Sequence, residues 1–96
     1  TNTCRETVEH FRSILPGLNK IKNWITREDY NVPKPSSECY ELALKRYGKS
    51  EEYIIGVENT PEGLKALKRV TTCVYMFNHD PDDDVYVIDD FQHIML

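Results

Sequence analysis

The apolar residues of this chain change their spacing about halfway along, and that change limits the folds that the chain can adopt. In the first half they recur every three or four residues, the period of an amphipathic helix. In the second half they form short runs rich in Ile, Val and Tyr, which are typical of β-strands. A chain of 96 residues has room for one domain. The pattern predicts a single α+β domain over residues 1–96, with a helical first half and a small sheet after it.

Two to three short helices are predicted in the first half. The first is expected to begin with a capping box at Thr3 and Glu6, in which each side chain accepts a backbone N–H of the other residue. A second helix is expected over residues 18–27 and a third over residues 37–47. The stretch between the last two is rich in Pro and Ser, which indicates a loop.

About three strands are predicted in the second half. The first covers residues 51–57, and Thr60 and Pro61 then indicate the start of a helix. Residues 71–77 alternate in the manner of a second strand. Residues 84–91 form the third and return after an Asp-rich turn, so the chain is expected to end in a β-hairpin.

The Asp-rich turn is the first of two candidate binding surfaces. Carboxylates in a short segment could bind Ca²⁺ weakly, but the sequence lacks the central Gly and the closing Glu of an EF-hand loop. We therefore expect no metal site and no cofactor, and a solvated turn whose charge suits a basic partner surface. The residues of this surface are Asp80, Asp82, Asp83 and Asp84.

The second candidate surface surrounds Trp24, which lies among cationic residues that include Arg27. Trp and Arg are frequent at the energetic centres of protein–protein interfaces. The simpler alternative is an amphipathic helix that buries Trp24 in the core. Trp24 and Arg27 are kept as candidate binding residues.

The charge of the chain favours a protein partner over nucleic acid or membrane. The net charge is −4, with nine Lys or Arg against six Asp or Glu in residues 1–50 and three against ten in residues 51–96. An acidic chain repels nucleic acid and anionic lipid surfaces. No apolar run approaches the length that spans a bilayer. The acidic second half allows contact with a basic protein surface.

Three cysteines, Cys4, Cys39 and Cys73, allow three disulfide pairings, and each pairing leaves one thiol over. Their spacing contains no CxxC pair and no Cys/His quartet, which argues against structural zinc. In an oxidising compartment we expect one intrachain disulfide, with the third Cys free or linking two chains into a dimer; a non-covalent dimer is the other option. Three buried thiols in a cytosolic protein are the alternative.

These observations favour a small secreted binding or antagonist protein that acts through protein–protein contacts. The chain does not begin with Met, which indicates a processed or trimmed product. No nucleophile elbow or Gly-rich phosphate loop is visible, so we expect no enzyme activity. The alternatives are an intracellular acidic inhibitor or adaptor of a basic protein, comparable to an immunity protein, and a small hydrolase or metal-dependent enzyme.

Three short segments resemble the first strands of secreted lipocalins from blood-feeding arthropods. They are Glu52-Tyr53-Ile54-Ile55, Asn59-Thr60-Pro61 and Thr72-Cys73-Val74-Tyr75. The resemblance implies a secreted carrier of a small molecule. The chain is too short to close the eight-stranded barrel of that family, and a helical first half does not fit it.

Overall fold

The structure, a computed structural model, describes residues 1–48, 53–77 and 86–88 of the chain. The helices are α1 (Arg5–Ile14), α2 (Glu38–Tyr47) and α3 (Pro61–Leu67), with 3₁₀ helices at Pro16–Lys20 and Arg27–Asp29. The strands are β1 (Ile55–Glu58), β2 (Cys73–Phe77) and β3 (Tyr86–Ile88). An α+β fold with a helical first half and a small sheet after it is therefore confirmed.

The sheet is parallel throughout the part of the chain that the structure describes. β1 and β2 pair with Gly56 opposite Val74, and α3 connects them as a crossover. β3 pairs with the other edge of β2, with Tyr75 opposite Tyr86, which gives the order β1-β2-β3. A parallel sheet brings the carboxyl ends of its strands to one edge, where ligands of such sheets bind.

The predicted C-terminal β-hairpin is wrong, because β2 and β3 run parallel and the strands of a hairpin run antiparallel. Turn-forming residues indicate that the chain changes direction, but they do not determine whether the next strand runs parallel or antiparallel to the previous one. The Asp-rich turn itself, with Asp80, Asp82, Asp83 and Asp84, lies outside the described residues. The parallel crossover also contradicts the lipocalin resemblance, because lipocalin barrels are antiparallel meanders.

The core lies between one face of the sheet and α3. Leu64 and Leu67 of α3 pack against Val74 and Met76 of β2, and all four side chains are buried. Val74 and Met76 are two positions apart and therefore share a face of the strand, as the alternation of the sequence predicts. Tyr40 of α2 is half-buried against the same cluster, which joins the helical half of the chain to the sheet.

Three of the predicted helices, α1, α2 and α3, form where they are expected. α3 begins at Pro61 with Thr60 as its N-cap, whose hydroxyl accepts the N–H of Gly63 at 3.0 Å. α2 covers nearly all of the expected range 37–47 and ends at Tyr47, next to Gly48. Local sequence is enough to predict α2 and α3, because the residues that cap each helix lie directly beside it in the chain.

The helix predicted over residues 18–27 is wrong. Only Pro16–Lys20 and Arg27–Asp29 are helical there, and both are short 3₁₀ turns. The capping box also lies elsewhere. Thr26 and Asp29 form it, with the Thr26 N–H donating to the Asp29 carboxylate at 2.8 Å.

Helix α1 has no side-chain cap at Thr3 or at its N-cap, Cys4. Instead, the Glu28 carboxylate accepts the backbone N–H of Arg5 at 2.9 Å. The charge on this carboxylate also suits the positive end of the helix dipole. A residue 23 positions away thus supplies the cap that Thr3 and Glu6 were predicted to form.

The close packing of Gly56 against Leu67 gives a test of the fold. A Cβ at residue 56 would overlap the Leu67 side chain, which is 2% exposed. We expect Gly56→Ala to lower the free energy of unfolding by about 1–3 kcal/mol through overpacking, and Leu67→Ala by about 2–5 kcal/mol through a cavity. The double variant should lose less than the sum of the two, because the added methyl occupies part of the cavity.

Urea denaturation of the four proteins measures this coupling. Leu15→Ala is the control, since Leu15 is 51% exposed and its truncation should change stability by less than about 1 kcal/mol. Strictly additive losses in the double variant would contradict the contact.

Candidate functional site

A cleft of about 360 Å³ opens at the edge of the sheet where β1 and β2 end. Glu58 is the last residue of β1 and Phe77 is the last residue of β2, and both line the cleft. Ligands of open parallel sheets bind outside the carboxyl ends of the strands. The remaining lining residues are Thr1, Lys34, Tyr40, Val57 and Asn59.

The Glu58 carboxylate lies at the centre of the contacts around this cleft. The residue is 7% exposed, and it is one of two buried polar or charged residues among those described. The Nζ of Lys34 lies 2.5 Å from Oε2, and the Tyr40 hydroxyl donates to the same oxygen. The other oxygen, Oε1, accepts the backbone N–H of Asn59 at 3.2 Å. Each carboxylate oxygen therefore has at least one donor.

Contacts hold both the backbone and the side chain of Lys34. Its backbone N–H donates to the Asn2 side-chain oxygen at 3.2 Å, and that oxygen also accepts the Tyr30 hydroxyl at 2.6 Å. The Lys34–Pro35 peptide bond is cis. The ammonium lies 4.9 Å from the centre of the Tyr40 ring, a distance at which a cation–π attraction is effective. The long side chain thus reaches the cleft from a fixed backbone.

The loop before α2 is fixed by the first residue of that helix. The Glu38 carboxylate accepts the backbone N–H of Val32 at 2.7 Å and also that of Asn31. This contact closes the segment that carries Lys34 against the start of α2, the helix that carries Tyr40. Lys34 and Tyr40 therefore approach Glu58 from one connected unit.

The Tyr40 hydroxyl keeps its proton. Burial raises the pKa of Tyr40, and the hydrogen bond to the negatively charged Glu58 raises it further, because a phenolate beside a carboxylate would be repelled. The phenol is therefore a donor to Glu58 over the physiological pH range.

Gly63 in the first turn of α3 leaves space for the Glu58 carboxylate. A Cβ at residue 63 would overlap the Oε1 atom of Glu58. Glycine weakens a helix by roughly 1 kcal/mol relative to alanine. Its presence in the seven-residue α3 is explained by the carboxylate beneath it.

An ion pair at this position is unusual for a purely structural contact. The Lys34 and Glu58 side chains are 15% and 6% exposed, and the cost of removing two charges from water is often as large as their attraction. Charged groups that are largely buried yet line an open cleft are typical of binding and catalytic sites. In chemical terms the cleft offers an ammonium and a carboxylate, with the Asn59 side chain beside them.

The sequence-predicted binding residues lie elsewhere. Trp24 is half-buried and donates its Nε1–H to the Ile21 carbonyl at 2.9 Å. Arg27 donates to the carbonyls of Tyr30 and Asn31 at 2.7 and 2.9 Å, within its own loop. Neither residue lines the cleft. Their role in binding a partner stays a prediction, as does that of the Asp-rich turn.

The three cysteines differ in environment. Cys4 is exposed, Cys39 is buried and Cys73 is half-buried, and none of them forms a disulfide in the structure. Burial raises the pKa of the Cys39 thiol. The expected pairing, the dimer through the odd Cys and a secreted location stay predictions.

Sequence reasoning did not find Lys34, Tyr40 and Glu58. Two signals were present: a Glu at the end of a β-branched run, separated from a helix cap by one residue, and a Lys between Pro33 and Pro35. Within the described part of the chain, no three His, Cys, Asp or Glu side chains converge in a group that could hold a metal ion. None of the described helices is long and apolar enough to cross a membrane.

Comparison with known proteins identifies the fold. No protein-family model and no curated protein matches the chain. Among solved structures, a protein described as a "putative beta-phosphoglucomutase" from Thermotoga maritima matches 84% of the chain with a TM-score of 0.73 and 21% sequence identity. The chain spans 38% of the length of that protein.

This likeness overturns the interpretation of the chain as a small secreted binding or antagonist protein. The fold is that of part of a protein described as a "putative beta-phosphoglucomutase". The alternatives of an immunity-type inhibitor and a lipocalin-like carrier are contradicted by the same finding. Charge asymmetry, an odd number of cysteines and the lack of a local catalytic motif favour a binding protein, but none of these features reveals a site whose residues only the fold brings together.

The protonated phenol of Tyr40 predicts a loss of stability at high pH. An unfolded Tyr titrates near pH 10, and folding raises the pKa of Tyr40. Its contribution to stability is therefore complete below about pH 10 and declines as the pH rises from there towards the folded pKa. We expect Tyr40→Phe to be less stable than the parent at pH 7 and to show a shallower decline above pH 10.

Urea denaturation at pH values from 7 to about 11 measures this decline. Part of the decline should remain in Tyr40→Phe, because burial also raises the pKa of Tyr30. Tyr53→Phe is the matched control, since Tyr53 is 98% exposed. Equal slopes in Tyr40→Phe and the parent protein would contradict the hydrogen bond to Glu58.

Proposed function

We propose that the chain is part of an enzyme that acts on a phosphorylated sugar, and that Lys34 binds the phosphate group in the cleft. The position of the Lys34 ammonium carries this proposal. It lies in the wall of an open cleft, at the carboxyl edge of a parallel sheet. The proposal replaces the expectation of a protein without catalysis.

The Lys34 ammonium supports an anionic ligand. Lys34 is the one cationic side chain among the described residues that line it, and a lysine ammonium is a common point-charge partner of phosphate. Asn59 can donate a further hydrogen bond from its side-chain amide. A volume of about 360 Å³ is at the lower end of the range for small-molecule sites.

The fold supports the same class of ligand. A solved structure with this fold is described as a "putative beta-phosphoglucomutase", a name that denotes an enzyme acting on a phosphorylated glucose. Phosphoryl transfer depends mainly on positioning and on stabilising the negative charge of the phosphoryl oxygens. Lys34 can supply positive charge for that purpose. Because the chain spans 38% of that protein, a complete catalytic site can require residues from a further polypeptide segment.

Binding of glucose 1-phosphate, followed by NMR chemical shifts of the backbone amides, tests the proposal. We expect shifts at Lys34, Glu58 and Asn59 with glucose 1-phosphate and none with glucose. Lys34→Gln should weaken this binding at least about tenfold, because a charge-assisted hydrogen bond to phosphate is lost. Gln is chosen because its amide can still donate to Glu58.

Lys45→Gln is the matched control, since Lys45 is exposed in the last turn of α2 and lies away from the cleft. It removes the same charge and should change the affinity less than about twofold. The Lys34→Gln/Glu58→Gln double variant removes both charges and covers the case in which the single variant is unstable. Equal affinity in Lys34→Gln and the parent, or equal binding of glucose, would contradict the proposal.

A further inference from the structure

Two donors converge on one oxygen of Glu58. The Lys34 ammonium and the Tyr40 hydroxyl both bind Oε2, whereas the described donor to Oε1 is the backbone N–H of Asn59. A carboxylate oxygen that faces two donors can release one of them and remain hydrogen-bonded. Lys34 alone is enough to neutralise the charge of Glu58, so the hydrogen bond from Tyr40 is an additional contact.

An anion in the cleft competes with Glu58 for Lys34. If Lys34 were the sole donor to Oε2, its departure would leave a buried, charged oxygen without a hydrogen bond, which is costly. This free-energy cost would make binding of the anion less favourable. A second donor to the same oxygen keeps it hydrogen-bonded and so lowers this cost.

From this geometry we infer that Tyr40 is a positioning residue that holds the Glu58 carboxylate while Lys34 turns from Glu58 to a bound phosphate or sulfate group. The inference rests on the proposed function of the cleft. It explains in addition how Glu58 can release Lys34 when an anion binds.

Tyr40 is suited to this role by its position. Its ring packs against the core cluster of Leu64, Leu67, Val74 and Met76, so the hydroxyl stays in place when Lys34 moves. The Tyr40 phenol cannot move towards a bound anion, because Tyr40 lies in α2 and its ring packs on the core. Lys34, in contrast, has a long flexible side chain on a fixed backbone.

Sulfate binding to a set of variants tests the inference, because sulfate keeps its double charge over the whole working pH range. Tyr40→Phe should bind sulfate about three- to tenfold more weakly than the parent, since releasing Lys34 now leaves Oε2 without a donor. In a Glu58→Gln background Lys34 is no longer held by a carboxylate. Tyr40→Phe should therefore leave sulfate affinity unchanged in that background.

Tyr47→Phe is the matched control, because Tyr47 lies on the same helix and is 44% exposed. It should leave sulfate affinity unchanged in both backgrounds. Equal weakening by Tyr40→Phe in the parent and in the Glu58→Gln background would overturn the inference, because it would mean that Tyr40 only shapes the cleft. Absence of any weakening would overturn it as well.

A second measurement uses the parent chain and does not depend on the folding of any variant. The ammonium of Lys34 lies 4.9 Å from the centre of the Tyr40 ring, so the adjacent methylene protons should be shifted upfield by the ring current. Saturating sulfate should move these signals downfield as Lys34 leaves the ring. Signals that stay upfield at saturation would overturn the inference.

The two sets of measurements separate this inference from the proposed function. A parent chain that does not bind sulfate or glucose 1-phosphate refutes the proposed function and the inference together. Binding that depends on Lys34 but is indifferent to Tyr40 refutes the inference and leaves the proposed function in place.

Discussion

The buried carboxylate of Glu58 is the constraint around which the described part of the chain is organised. A carboxylate that is 7% exposed is stable only with donors to its oxygens. Lys34 and Tyr40 supply them from the helical half of the chain, and Asn59 supplies another from the sheet half. The same contact therefore joins the two halves and forms the wall of the cleft. Fold and candidate site depend on one set of hydrogen bonds.

The elements that the sequence predicted well are those decided by near neighbours along the chain. Helix α3 follows from Thr60 and Pro61, and the buried face of β2 follows from the alternation of its residues. The helix expected over residues 18–27 failed because apolar spacing alone does not distinguish a helix from a turn fixed by tertiary contacts. There the Thr26–Asp29 capping box closes only a short 3₁₀ helix, and Glu28 caps a different helix, α1.

The site could not be found from local patterns because its members are distant in sequence. Lys34 and Glu58 are 24 residues apart, and Tyr40 is 18 residues from Glu58. They meet because α3 returns the chain in the parallel direction and α2 packs on the resulting face. The direction of β3 was missed for a related reason, since turn residues indicate a reversal without fixing strand orientation.

Several local costs coincide around Glu58, and this coincidence is the strongest physical argument for a site. Gly63 weakens its helix in order to leave space for the carboxylate. The Lys34–Glu58 pair removes two charges from water, where apolar residues of similar size would often be as stable or more so. Local features of this kind, which conflict with stability, are typical of functional sites. Because each cost traces to the same carboxylate and its cation, a function that uses the cation explains all of them together.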